Sequence, residues 1–101
     1  MRRVPRFSSS ASAEVIRNGS VELTRVSEIS RYGCYLETST LMEPGTVITV
    51  RIMDGGGLFE ASATVLYSRP PRGIGVAFHD VKSIFRTVLE DWLRQAIERQ
   101  P

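Results

Sequence analysis

The chain has 101 residues, a formal net charge of +2, 42% apolar residues and 24% charged residues. This is enough for one ordinary soluble globular domain. So slight a charge does not call for the dense basic face of a histone-like or repressor-like protein, and no apolar run approaches membrane-spanning length.

Residues 1–12 hold Arg2, Arg3 and Arg6, with Pro5 and the run Ser8-Ser9-Ser10, and show no apolar periodicity. They read as a flexible arginine-bearing arm. Met1-Arg2-Arg3 and Ala11-Ser12-Ala13 mimic the two ends of a secretion signal, but the VPRFSSS between them is not apolar. A cytoplasmic protein is therefore expected. Residues 13–101 read as a single domain. AEVIR (13–17) meets Asn18-Gly19, a strong two-residue hairpin signal, and SVELTRVSEI (20–29) is the returning strand. GCYLET (33–38) alternates Cys34 and Leu36 against Tyr35 and Glu37. After the Glu43-Pro44-Gly45 turn, TVITVRIM (46–53) places Ile48, Val50 and Ile52 on one face. After Asp54-Gly55-Gly56-Gly57, LFEASATVLYS (58–68) does the same with Phe59, Ala61, Ala63, Val65 and Tyr67. Pro70-Pro71-Arg72-Gly73 turns the chain into IGVAFH (74–79). Six strands joined mostly by short turns predict an antiparallel barrel or sandwich. From Ser83 to Gln100 the rhythm changes. Ile84, Phe85, Val88, Leu89, Trp92, Leu93, Ala96 and Ile97 form a helical stripe. Such a helix packs on the barrel, and it also offers a homodimer seam.

Enzyme chemistry finds little support. The one histidine, His79, stands next to Asp80 at a strand end, and no Gly-x-Ser-x-Gly elbow accompanies it. Gly73-Ile74-Gly75 begins like a dinucleotide loop, but Phe78 holds the third glycine's place and a strand occupies the position of the required helix. Cys34, alone, excludes an internal disulfide and reads as a buried thiol. No cluster of His, Cys and carboxylates suggests a metal. Twelve of the thirteen basic residues are arginine, whose flat fork suits phosphate and guanine better than lysine does.

Two constellations remain. One is the pair Arg2 and Arg6 with its intervening proline. The other is Glu28-Ile29-Ser30-Arg31-Tyr32-Gly33, which sets a carboxylate, a hydroxyl and a glycine at short spacing between two strands. In this order they resemble the PilZ domain family, marked by Arg-x-x-x-Arg near its start and Asp or Asn-x-Ser-x-x-Gly some way downstream. The stretch Gly73 to Phe78 is similar to that family's closing strand. The resemblance implies a six-stranded antiparallel β-barrel with a C-terminal helix. It implies a receptor, without catalysis, for the bacterial second messenger cyclic di-GMP, passing a conformational signal to an effector protein or domain. It assigns ligand binding to Arg2, Arg6, Glu28, Ser30 and Gly33, with Arg3 and Arg31 as helpers. Glu28 departs from the pattern by one methylene, which favours an alternative: a protein-interaction adaptor of the same fold that binds no nucleotide. A small nucleic-acid-binding barrel using Tyr35 and Tyr67 is a third reading. It is disfavoured because the strand faces lack interleaved basic residues, so no DNA or RNA partner is expected.

Overall fold

In the computed structural model, which describes residues 5–99, seven strands and one helix follow one another: β1 (Arg6–Ser8), β2 (Ser12–Arg17), β3 (Ser20–Ser30), β4 (Gly33–Leu36), β5 (Val47–Asp54), β6 (Gly57–Arg69), β7 (Gly73–His79) and α1 (Ser83–Arg99). All pairings are antiparallel, in the order β1-β3-β2-β5-β6-β7-β4. A further pairing of β4 with β3 closes β2 to β7 into a six-stranded barrel. The expected barrel and helix are both present.

Turn chemistry sets the registers. Asn18 and Gly19 both take positive φ, 51° and 79°, so that Arg17 faces Ser20 across a two-residue hairpin. Gly55 and Gly56, at 57° and 84°, do the same between Asp54 and Gly57. Alternation then turns Ile48, Val50, Ile52, Phe59, Ala61, Ala63 and Val65 into the core. The loop after β4 is fastened at one end of the barrel, where the nearly buried Thr38 donates to Glu22 Oε2 (2.5 Å) and Thr40 donates to Glu22 Oε1 (3.1 Å). On α1, Leu89 is buried, while Phe85, Val88, Trp92, Leu93 and Ala96 pack against the core and Ile84 and Ile97 stay exposed. Phe59 is the hinge of this contact, with ring centroids 4.9 Å from Phe78 and 6.5 Å from Phe85. The helix thus packs on the barrel, as its stripe predicts.

The structure corrects two expectations. Residues 6–12 are not an irregular arm. Arg6, Phe7 and Ser8 pair with Ser30, Ile29 and Glu28, and β2 begins at Ser12. Phe7 and Ala11 are buried in the core, and Ser9 N–H and Ala11 C=O continue the bonding to β3. Backbone pairing plus one aromatic anchor outweighs the polar composition of this stretch. Because β4 holds the other edge of β3 over the same residues, β1 lies on the edge that β2 continues. The second correction is Tyr67. The β6–β7 register shifts between Val65 and Tyr67, a bulge that turns Tyr67 away from the core.

Candidate functional site

The registers build the site. One cross-strand row runs Ser8–Glu28–Tyr35–Gly75–Tyr67, through β1, β3, β4, β7 and β6. Beside it, Arg6 faces Ser30 and Gly33 faces Ala77. Four interstrand steps span about 19 Å before curvature. Over these rows lies an open pocket of about 230 Å³, to which all five strands contribute. Arg6, 22 residues before Glu28 in sequence, therefore meets Glu28, Ser30 and Gly33 on one wall. Arg31 is exposed and is not part of the pocket lining. Arg2 and Arg3 lie outside the described residues.

Arg6 Nη1 stands 3.9 Å from Glu28 Oε1, with side chains 72% and 53% exposed. A pair so long and wet holds weakly, leaving the guanidinium free to exchange partners. Ser30 Oγ accepts from the Tyr32 N–H and donates to the Gly33 carbonyl, both at 3.3 Å, and so shapes the β3–β4 turn. A Cβ on Gly33 would fall 2.0 Å from the Val76 carbonyl oxygen. The close approach of β4 to β7 thus already requires glycine there.

The far wall is aromatic. The Tyr35 and Tyr67 rings are 6.2 Å apart and tilted by 39°. A Cβ on Gly75 would fall 2.4 Å from Tyr67 Cζ, and one on Gly73 would fall 2.9 Å from Tyr35 Cε1. Gly75 is therefore the seat of the Tyr67 ring, a role that sequence reasoning missed, whereas Gly73, at φ 154°, is required first by the Leu36 carbonyl oxygen, 2.1 Å from where its Cβ would fall, and only then by the Tyr35 ring. Sequence reasoning set Tyr67 on the face of Phe59 and Val65, gave the two tyrosines a ligand role only as nucleic-acid stackers, and gave none to Tyr32 and Leu66, which also line the pocket. The available signal was the coincidence of two glycines and two tyrosines on facing strands.

Elsewhere, His79 bonds Thr64 Oγ1 through Nε2 (2.9 Å) and Asp80 through Nδ1 (3.0 Å) on the barrel exterior. Cys34 is buried, and desolvation pushes its thiol pKa far up. Among the described residues, no group of three or more His, Cys, Asp and Glu could hold a metal ion, and no helix is long and apolar enough to cross a membrane.

The PilZ domain family model matches residues 1–95. No curated protein matches the chain in sequence. Several solved structures share its fold. The Bacillus subtilis inhibitor of motility MotI/DgrA superposes with a TM-score of 0.78 at 14% identity, over 98% of this chain and 52% of that one. This chain thus spans about half of MotI/DgrA's length. The PilZ domain of Escherichia coli YcgR with c-di-GMP gives 0.76 at 16% identity, over 96% and 92%. The PilZ domain of CeSA from a cellulose-synthesizing bacterium gives 0.69 at 15% identity, over 93% and 96%.

Proposed function

The chain belongs to the PilZ domain family, and from that premise we propose that it is a cytoplasmic, non-catalytic receptor for cyclic di-GMP. The observation that carries this reading is the β1–β3 register, which sets Arg6 opposite Ser30 and beside Glu28 at the pocket. The ligand has two phosphates and two guanines. Arg6 can fork onto phosphate oxygens or onto guanine O6 and N7. Ser30 can donate to phosphate, and Glu28 can accept from a guanine N–H edge. Tyr35 and Tyr67 supply a face for a purine. Arg2 joins Arg6 by its place in the family pattern, with Arg3 and Arg31 as helpers. Only three residues of β1 pair with β3, so a ligand bridging Arg6 to the β3–β4 turn tightens β1 onto the barrel. That is the conformational signal offered to an effector protein or domain.

The Arg6–Glu28 contact favours a second reading, a nucleotide-free adaptor, because the carboxylate competes with phosphate for the guanidinium. Calorimetric titration with cyclic di-GMP separates the two. A receptor binds it, and Arg6→Ala weakens binding by about ten- to a hundredfold, the loss of a hydrogen bond to a charged group. No binding by the unaltered protein leaves the adaptor.

A further inference from the structure

Arg69 lies outside the pocket lining but against its aromatic wall, and none of the roles above uses it. Its Cζ lies 5.2 Å from the centroid of the Tyr67 ring. The ring is itself fixed from below, because Gly75 leaves no side chain between it and the sheet, and it leans on Tyr35. Arg69 is exposed, and no described carboxylate lies within ion-pair distance of it. Its place follows from the register. Tyr67 faces Gly75 and Arg69 faces Gly73, one step along β6 on the side away from Thr64 and Ala77. Arg6 lies toward the opposite side of the central row, in line with Ser30, and on the outermost strand. The two arginines stand at diagonal corners of the site.

We propose that Arg69, carried on Tyr67, is the residue that selects guanine at the end of the site remote from Arg6. This rests on the cyclic di-GMP reading above. A guanidinium held over an aromatic ring has its face occupied, so its paired N–H donors remain to point outward along its edge. Guanine offers that edge two acceptors, O6 and N7. Adenine offers N7 but sets its N6 amino donor against the second N–H. The same guanidinium that welcomes one purine thus opposes the other. A lysine ammonium carries the charge but not the planar fork.

The experiment compares cyclic di-GMP with cyclic di-AMP on the unaltered protein, Arg69→Ala and Arg69→Lys. Arg69 is exposed, so both variants keep the fold, which the thermal midpoint checks. Both should lose about tenfold in affinity for cyclic di-GMP while changing little toward cyclic di-AMP, so that the preference narrows. Full affinity and selectivity in Arg69→Lys overturns the inference, because charge alone then suffices. Equal losses for both nucleotides overturn it as well. In either case Arg6→Ala still tests the receptor reading separately. If the unaltered protein binds neither nucleotide, the receptor reading fails, and this inference fails with it.

Discussion

Gly75→Ala is the sharpest probe of how the aromatic wall is held. The added Cβ would meet Tyr67 at 2.4 Å (Cζ), 2.5 Å (Cε1) and 2.7 Å (Oη), against an ordinary contact of 3.4 Å or more. The ring must retreat by about 1 Å, the difference between those distances. It can do so, since Tyr67 is already 39% exposed and no backbone atom stands among the three nearest. The swing gives up the Tyr35 contact and the Arg69 contact, together about 1–2 kcal/mol. Replacing glycine within a strand returns roughly 0.5–1 kcal/mol, so the net change in stability is about 1 kcal/mol or less. Gly33→Ala has no such exit. Its Cβ strikes the Val76 carbonyl at 2.0 Å, a backbone atom, at the first pair of the β4–β7 ladder. Urea denaturation followed by Trp92 fluorescence should therefore find Gly75→Ala near the unaltered protein and Gly33→Ala destabilised by more than about 3 kcal/mol, if it folds at all. The near-ultraviolet tyrosine signal should change in Gly75→Ala, and Tyr67→Ala should abolish that difference. Equal destabilisation by the two glycine substitutions would refute the reasoning, since Gly75 would then serve the barrel and not the ring.

Phe7→Ala should cost roughly 3 kcal/mol, the low end for a buried phenylalanine because the space opens toward solvent, and trypsin should then cut after Arg6 faster than in the unaltered protein; an unchanged rate means that Phe7 does not anchor β1. Cys34 should resist thiol reagents until the protein unfolds, because burial holds it protonated. With its folded pKa raised, the stability it contributes is fully present below the ordinary thiol value of about 8.5 and is lost as pH rises above it, by up to about 1.4 kcal/mol per pH unit; a Cys34→Ala variant should lack that part of the alkaline decline in denaturant titrations. Glu28→Asp should tighten cyclic di-GMP binding a few-fold by shortening the side chain that now reaches Arg6 and reducing the rotamer entropy lost on binding; weaker binding in calorimetry would mean that the ligand uses the carboxylate at glutamate's reach.

The barrel was legible because its signals are local. Asn18-Gly19 and Gly55-Gly56 fix hairpins by φ alone, and the alternation of Ile48, Val50 and Ile52 leaves one choice of inner face. The α1 stripe named the residues that pack, although nothing in it separated the buried Leu89 from the exposed Ile84 and Ile97. The first strand was hidden because its evidence is distant. Phe7 alone among polar neighbours gives no period, and β1 exists only through its pairing with residues 28–30. Tyr67 was misplaced for a related reason: strict alternation cannot foresee a bulge set by the partner strand. The family resemblance singled out Arg6, Glu28 and Ser30, and the fold brings these three to one pocket. The needs at Gly73 and Gly75 were not legible, because each is set by another segment: the Leu36 carbonyl for Gly73 and the Tyr67 ring for Gly75.

The central claim is that the two cross-strand rows are the cyclic di-GMP site. Titrating the ligand into isotopically labelled protein and following backbone amide resonances tests it most directly. Shifts should concentrate at Arg6, Glu28, Gly33, Tyr35, Gly75 and Ala77, and the amides of Gln95 and Glu98 on the exposed side of α1 should stay in place. Saturable binding whose shifts fall on α1 and spare those rows, or no shifts at any ligand concentration, would contradict it.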